Sequence, residues 1–463
     1  MDAVSEEARM SHLRRPRRTR NVVSLFVLIL LLSVRLATLI PVVANPERSL
    51  TTDSRGYLDL AESLRTSGTL QSPDQHTEGI RTPGYPLFIA AVQWLAGPGV
   101  APVIVAQVLL SIGVAGLLFL LGVRVGGNSV GWAAAFLWAM NPNSIFWPFL
   151  ILSEALFAGL LVGCLLLVVL ALDRGSWWLM TAAGILLGFA ILVRPIGIYL
   201  IPLWFAVLLF RGVRRDGWGR AWRAPAVLGI AAYALVFAWS VRNYAVHGEF
   251  YYSKVSGSTI RSFILAPALA DARGISRSEA APLIPVTGDP ATILAEIFAE
   301  SPWSIPKVLA AGFLRTALGT EAETWLGLYG LPGASQGLLG SLLRGELTRI
   351  VGVVRGIFSS WQTTLYWALV LWGAAYAVTA WGAAIIGWVR KHGRLGWVGG
   401  TAHWLAAWTT VYLVAVPLSN GDARFRMPVD PLLAFLAGIA FLGWAGLRQT
   451  SASNPDDSHR VSA

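Results

Sequence analysis

Asp53, Tyr57 and Arg81 share one polar stretch, TDSRGYLDLAESLRTSGTLQSPDQHTEGIRTPGYP, residues 52–86. A carboxylate can take a proton from an attacking hydroxyl, and an arginine fork can hold a phosphate through paired hydrogen bonds. Tyr57, Leu58, Ala61 and Leu64 recur at helical spacing, which predicts a surface helix with Asp53 near its N-terminus. Taken singly, Asp53 also reads as an N-terminal cap and Arg81 as a lipid-headgroup contact. Arg81 leads directly into Pro83-Gly84-Tyr85-Pro86.

Further charged residues sit at the borders of apolar runs. Glu154 follows Ser153, and Arg194 precedes Pro195 between two apolar segments. Arg242 ends another such run, with His247 shortly after it. Asp422, Arg424 and Arg426 stand together before the last run. Arg35 lies inside the first. A cation in such a place is costly unless it reaches a partner or the interface.

The elements that position these residues follow from composition. Of 463 residues, 55% are hydrophobic and only 13% charged, with mean hydropathy +0.60. Soluble domains carry roughly 25% charged residues, so this is a polytopic membrane protein. The net charge of +11 comes from short basic clusters flanking apolar runs, which excludes a nucleic-acid binder. Cys164 is the single cysteine, so no intramolecular disulfide forms.

Ten spans are expected near 22–43, 101–123, 129–147, 153–172, 177–193, 195–210, 225–243, 361–388, 399–416 and 428–447. The first reads as a retained helix, not a cleaved signal. Segment 84–97 is too short to span and is expected to lie in the interface or dip into the membrane. Basic clusters at 211–223 and 390–394 fall on the same side as the basic N-terminus, 1–21, which orients both termini toward the cytoplasm. The membrane domain is then 22–447, and the polar tail 449–463 is expected to be disordered. Loop 44–83 and region 244–360 face outward. That region is expected to form juxtamembrane helices, near 303–318 and 338–357. Arg194, Arg242, Arg424 and Arg426 all fall on the outer side, where orientation gives no reason for them. Their common placement predicts an anion site at the outer face. Arg424 and Arg426, two apart, face the same way if their segment is extended.

The pattern resembles the GT-C type membrane glycosyltransferases. The likeness is to the bacterial branch related to protein O-mannosyltransferases and lipid A aminoarabinose transferases. It rests on Asp53 with Tyr57, Arg81-Thr82-Pro83-Gly84-Tyr85-Pro86-Leu87, Ser153-Glu154-Ala155, Gly188-Phe189-Ala190 with Val193-Arg194-Pro195, Arg242-Asn243-Tyr244, and Arg424-Phe425-Arg426-Met427-Pro428. It covers about 22–250 and 417–447. The resemblance implies an all-α GT-C fold and a sugar donor carried on a polyprenyl phosphate. It implies Asp53 at the catalytic centre and Arg81 on the lipid phosphate. The acceptor is a protein, lipid or glycan. The paired acidic motif of the mannosyltransferases is missing here, with Asp59 further on. Ile80 stands where the aminoarabinose transferases have an acidic residue. Dependence on a divalent metal is therefore left open, and no other cofactor is implied. No soluble C-terminal domain of the oligosaccharyltransferase kind is expected.

The residue types then suggest a mechanism. Arg81, with Arg194, Arg424 or Arg426, stabilises the leaving phosphate, and Asp53 is the base. Direct displacement inverts the anomeric centre. Tyr57, Tyr85, Glu154, Arg242, His247 and Asp422 are further site candidates. The competing class is a transporter or flippase for an anionic lipid or solute, which predicts charges deep within several helices.

Overall fold

The computed structural model describes residues 31–71, 81–255, 260–285, 290–331, 358–417 and 421–442, with positions 22, 25, 26, 28 and 29. The expected helix near 338–357 and the tail 449–463 lie outside them. The described residues form helices and turns with no β-strand. The expected all-α membrane fold is the observed one.

Five of the ten expected spans are helices long and apolar enough to cross a membrane: Ala101–Gly126, Glu154–Arg174, Pro195–Asp216, Trp218–His247 and Trp361–Arg394. The principal helices are α1 (Leu31–Ala44), α2 (Thr52–Ser67), α3 (Gly84–Ala96), α4 (Ala101–Gly126), α5 (Asn128–Met140), α6 (Glu154–Arg174), α7 (Trp177–Val193), α8 (Leu200–Asp216) and α9 (Arg223–His247). After them come α10 (Ala266–Arg273), α11 (Pro290–Glu300), α12 (Ser304–Leu318), α13 (Ala322–Leu328), α14 (Trp361–Ile386), α15 (Trp397–Ala415) and α16 (Asp430–Ile439). α12 matches the helix expected at 303–318. One expected span is corrected. The run 129–147 is broken at Asn141, because Pro142 forces the preceding residue out of helical geometry. Asn141 turns extended and its side chain caps a single helical turn, Pro142–Phe146.

Prolines and glycines place the helix ends where the charged residues stand. α7 ends at Val193 because Arg194, preceding Pro195, is extended, with φ −138° and ψ 116°. α7 packs closely on α9 through Gly188, where an added Cβ would lie 2.8 Å from the Ala232 carbonyl oxygen. Gly84 opens α3 against the end of α7, where a Cβ would lie 2.6 Å from the Val193 nitrogen. The Arg81 and Arg194 segments therefore meet backbone to backbone.

The surface helix α2 is tied down at its start. Thr51 and Ser54 form a reciprocal cap, and the Ser54 hydroxyl donates to the Ile151 carbonyl at 2.9 Å. The Ile151 amide donates to the Ser49 carbonyl at 3.0 Å. Asp53 is thus not the cap of α2, and its carboxylate is left for other partners.

Gly84→Ala should lower stability by about 1–3 kcal/mol, because its methyl group meets backbone that cannot yield. Gly113→Ala, where nothing lies within 4 Å, should be neutral or stabilising. Thermal unfolding of the two purified variants checks this; equal midpoints would contradict the close approach at Gly84.

Candidate active site

Seven polar side chains close into a ring. Arg81 Nη2 donates to Asp53 Oδ1 at 2.6 Å, and Arg424 Nη1 donates to Asp53 Oδ2 at 2.7 Å. Arg424 Nε donates to Glu154 Oε1. Arg194 Nη1 lies 2.6 Å from the same Glu154 oxygen and donates to Ser153 Oγ at 3.2 Å. Ser153 Oγ is 3.5 Å from the Tyr57 hydroxyl, which accepts from Arg81 Nη1 at 3.1 Å. Five chain segments supply the ring: the first turns of α2, the approach to α3, the entry to α6, the exit from α7, and the 3-10 turn Ala423–Arg426.

Two aromatic residues support the ring. The Arg81 guanidinium lies 4.5 Å from the Tyr57 ring centroid, and Tyr57 meets Tyr85 edge to face at 4.8 Å. Tyr85 is fully buried, and its hydroxyl donates to Gln107 at 2.8 Å. Gln107 in turn donates to the carbonyls of Pro148 and Leu150, fixing the segment that leads to Ser153. Tyr85 therefore supports the site from below.

Three guanidiniums face two carboxylates, so the ring carries one net positive charge. Asp53 keeps about a third of its side chain exposed, while Glu154 is buried. Burial works to raise the Asp53 carboxyl, but Arg424 and then Arg81 outweigh it and hold it at about 2. Burial likewise disfavours the Arg424 cation; Glu154 and Asp53 overcome this and raise its proton affinity above the ordinary arginine value. Arginines hold three of the four carboxylate oxygens, and the excess positive charge suits an anion. Among the described residues no group of three His, Cys, Asp or Glu side chains is placed to hold a metal.

Asp53, Tyr57, Arg81, Glu154, Arg194 and Arg424 come together in the ring, and others of the expected set do not. Arg426 is fully buried elsewhere, donating to the Ala317 carbonyl at 2.8 Å and paired with Asp430 at 3.2 Å. Arg424 and Arg426 would face the same way on an extended segment; the segment is a 3-10 turn, which sends residues two apart in different directions. Arg242 donates to the Leu70 carbonyl and lies beside His247, at the end of α9. Asp422 accepts from the Arg424 amide at 2.7 Å, orienting the turn through its backbone. Arg35 spreads its guanidinium over Ser111, Ser144 and the Trp138 carbonyl, holding α1 to α4 and α5.

Residues 80–241 match the family model described as dolichyl-phosphate-mannose-protein mannosyltransferase. Arg81, Glu154 and Arg194 lie within that match. It supports the resemblance to GT-C type, mannosyltransferase-like membrane glycosyltransferases that the motifs suggest. Among solved structures, the chain is similar to the Archaeoglobus fulgidus oligosaccharyltransferase in complex with zinc and sulfate. Identity is 17%, over 92% of this chain and 52% of that one, with TM-score 0.49. It is also similar to ArnT from Cupriavidus metallidurans bound to undecaprenyl phosphate. There identity is 16%, over 93% of this chain and 81% of that one, with TM-score 0.39. The chain thus spans about half the length of the archaeal enzyme. No curated protein matches it.

The Asp53 ion pairs imply a defined acid response. A carboxyl held at about 2, against an ordinary 3.8, adds stability that is complete above the ordinary value and lost as pH falls through 2. The unfolding midpoint of the parent protein should fall more steeply between pH 4 and 2 than that of Asp53→Asn. Parallel curves would show that Asp53 is not ion-paired.

Arg426→Leu strands Asp430, a fully buried carboxylate, and should cost about 3–5 kcal/mol. Arg426→Leu with Asp430→Leu should recover much of that loss. A denaturant series on the single and double variants checks this.

Proposed function

We propose that this chain is a membrane glycosyltransferase. It transfers a sugar from a polyprenyl-phosphate-linked donor to an acceptor hydroxyl of a protein, lipid or glycan at the outer face of a cell membrane. One observation carries the reading: a cationic ring in which every bound carboxylate oxygen is held by an arginine, placed where helix ends meet. The family match over residues 80–241 supports it, as does the order of motifs around the ring.

The donor's phosphate is an anion that competes with Asp53 and Glu154 for the same guanidiniums. Arg81 and Arg424 are suited to pass from Asp53 to the phosphate, and Arg194 to remain on Glu154. Their charge then stabilises the leaving group as the bond from the anomeric carbon to the phosphate oxygen breaks. That bond's electron pair leaves with the polyprenyl phosphate. The acceptor oxygen forms the new bond to the anomeric carbon from the opposite side, which inverts the centre. Its proton goes to Asp53.

At about 2, the resting Asp53 carboxylate is a weak base. Losing two arginines to the phosphate raises its proton affinity, so donor binding itself prepares the base. Order matters in this scheme: acceptor activation follows donor capture.

The competing transporter reading draws on one observation, the deep burial of Arg35, Arg426 and Asp430. Those groups are engaged by backbone carbonyls, hydroxyls and one another, away from the ring.

Asp53→Asn should lower transfer from a polyprenyl-phosphate sugar by about 10²- to 10⁴-fold while donor binding is kept or improved. Arg424→Lys should weaken donor binding, because a point charge replaces a fork. Transfer by purified protein in detergent, with polyprenyl phosphate binding measured separately, checks both. Unaltered transfer by Asp53→Asn would remove it from the mechanism. Uptake of an anionic solute into vesicles without any transfer would favour the transporter.

A further inference from the structure

A second carboxyl pair stands immediately behind the ring. Glu321 is the residue that precedes α13, but its side chain does not cap that helix. It turns instead toward Asp422, and the two carboxyl groups lie within hydrogen-bonding reach of each other. Thr324 Oγ1 lies 3.4 Å from Glu321 Oε2, and the Ala423 backbone faces Glu321 as well. The other side of Asp422 accepts from the Arg424 amide at 2.7 Å. One carboxyl pair thus grips two consecutive residues of the turn that carries Arg424.

Two half-buried carboxylates in contact cannot both hold a charge at little cost. A single proton between them turns repulsion into a hydrogen bond. We propose that Glu321 and Asp422 share one proton, and that this hydrogen-bonded pair is the latch that holds Arg424 in the ring. Glu321 is then a positioning residue for the transfer reaction, acting through Asp422 and the turn. The positioning role rests on the glycosyltransferase reading given above; the shared proton does not.

The surroundings favour the protonated pair. Burial acts first and Asp422 second to push Glu321 up to about 7, and burial raises Asp422 as well. Arg424 opposes the rise at Asp422, and Glu154 of α6 adds to it. Glu323 lies in the first turn of α13, and Tyr366 of α14 feels both Glu323 and Glu321. Arg315 of α12 packs beneath the turn: a Cβ at Gly421 would lie 3.0 Å from its Cδ. Glu47 and Arg48 stand on the 3-10 turn that packs on α13.

Between the ordinary 4.5 and about 7 the folded state keeps a proton that the unfolded chain has lost, so the pair costs stability increasingly as pH rises. Above about 7 the shared proton leaves, two carboxylates face each other, and the turn loosens. Arg424 is then released from its place between Asp53 and Glu154.

Two measurements on the full-length protein test this. In infrared difference spectra between pH 6 and pH 8, the parent should lose one protonated-carboxyl band that Glu321→Gln lacks. The same band in both proteins, or in neither, overturns the shared proton. Binding of a polyprenyl phosphate to the parent should weaken about tenfold from pH 6 to pH 8. Glu321→Gln, which keeps a donor to Asp422 and cannot ionise, should flatten that dependence. Glu321→Ala should bind weakly throughout. Binding that weakens equally with pH in the parent and in Glu321→Gln overturns the latch while leaving the glycosyltransferase reading intact. A parent protein that binds no polyprenyl phosphate at any pH overturns that reading, and the positioning role of Glu321 with it.

Discussion

The Arg424 guanidinium joins two carboxylates that lie 371 and 270 residues away in the chain. Without it, Asp53 and Glu154 would face each other as like charges, one of them buried. An ion pair at such a depth is held together only if every member keeps its hydrogen bonds, because the desolvation cost is large and fixed. The ring meets that condition at three of its four carboxylate oxygens. Arg81 and Arg424 divide the two oxygens of Asp53, and Arg194 and Arg424 converge on one oxygen of Glu154. Glu154 Oε2 is left with no hydrogen bond among the described residues, an unused acceptor facing the same network.

The fold serves this arrangement chiefly by ending helices in the right places. Arg194 is displayed because Pro195 stops α7, and Glu154 because α6 begins there. Gly84 lets the Arg81 segment press on the end of α7. Packing of Gly188 on α9 holds that end at a fixed distance from the bundle. Arg35 and the Arg426–Asp430 pair do a different task with the same residue types. Both arginines are fully covered: Arg35 donates to two serine hydroxyls and to backbone carbonyls, and Arg426 to the Ala317 carbonyl beside its ion pair with Asp430, which ties elements together. The ring arginines differ in staying partly exposed, so that on the proposed mechanism their carboxylate partners can be exchanged for a ligand.

Much of the site was legible in the sequence because misplaced charge is conspicuous in an apolar chain. Asp53, Arg81, Glu154, Arg194 and Arg424 each stood at a span border without an orientation role, and these five meet. Arg426 was misread because direction, unlike position, depends on local geometry. A 3-10 turn separates side chains that an extended strand would align. The break at Asn141 was available from Pro142 but was hidden by the apolar run around it. Glu321 was not legible at all. It sits in a region without periodicity, and its partner Asp422 is about a hundred residues away, so only the folded chain shows them touching.

Glu321 also gives the region between α9 and α14 a physical purpose. A ring of alternating charges is stiff only if its least anchored member is held, and Arg424 rides on a short turn with no long helix of its own. Arg81 and Arg194 are fixed by the α3–α7 contact, and Glu154 by the buried start of α6. The Arg424 turn instead leans on α12, through Arg315, and on the residue that opens α13. On the proposed mechanism the Arg424 guanidinium leaves Asp53 for a phosphate and later returns, which needs such a mounting: firm in backbone, free in side chain. The contacts from Asp422 and Glu321 reach the turn's backbone, while the guanidinium itself is held only by groups that an anion can replace.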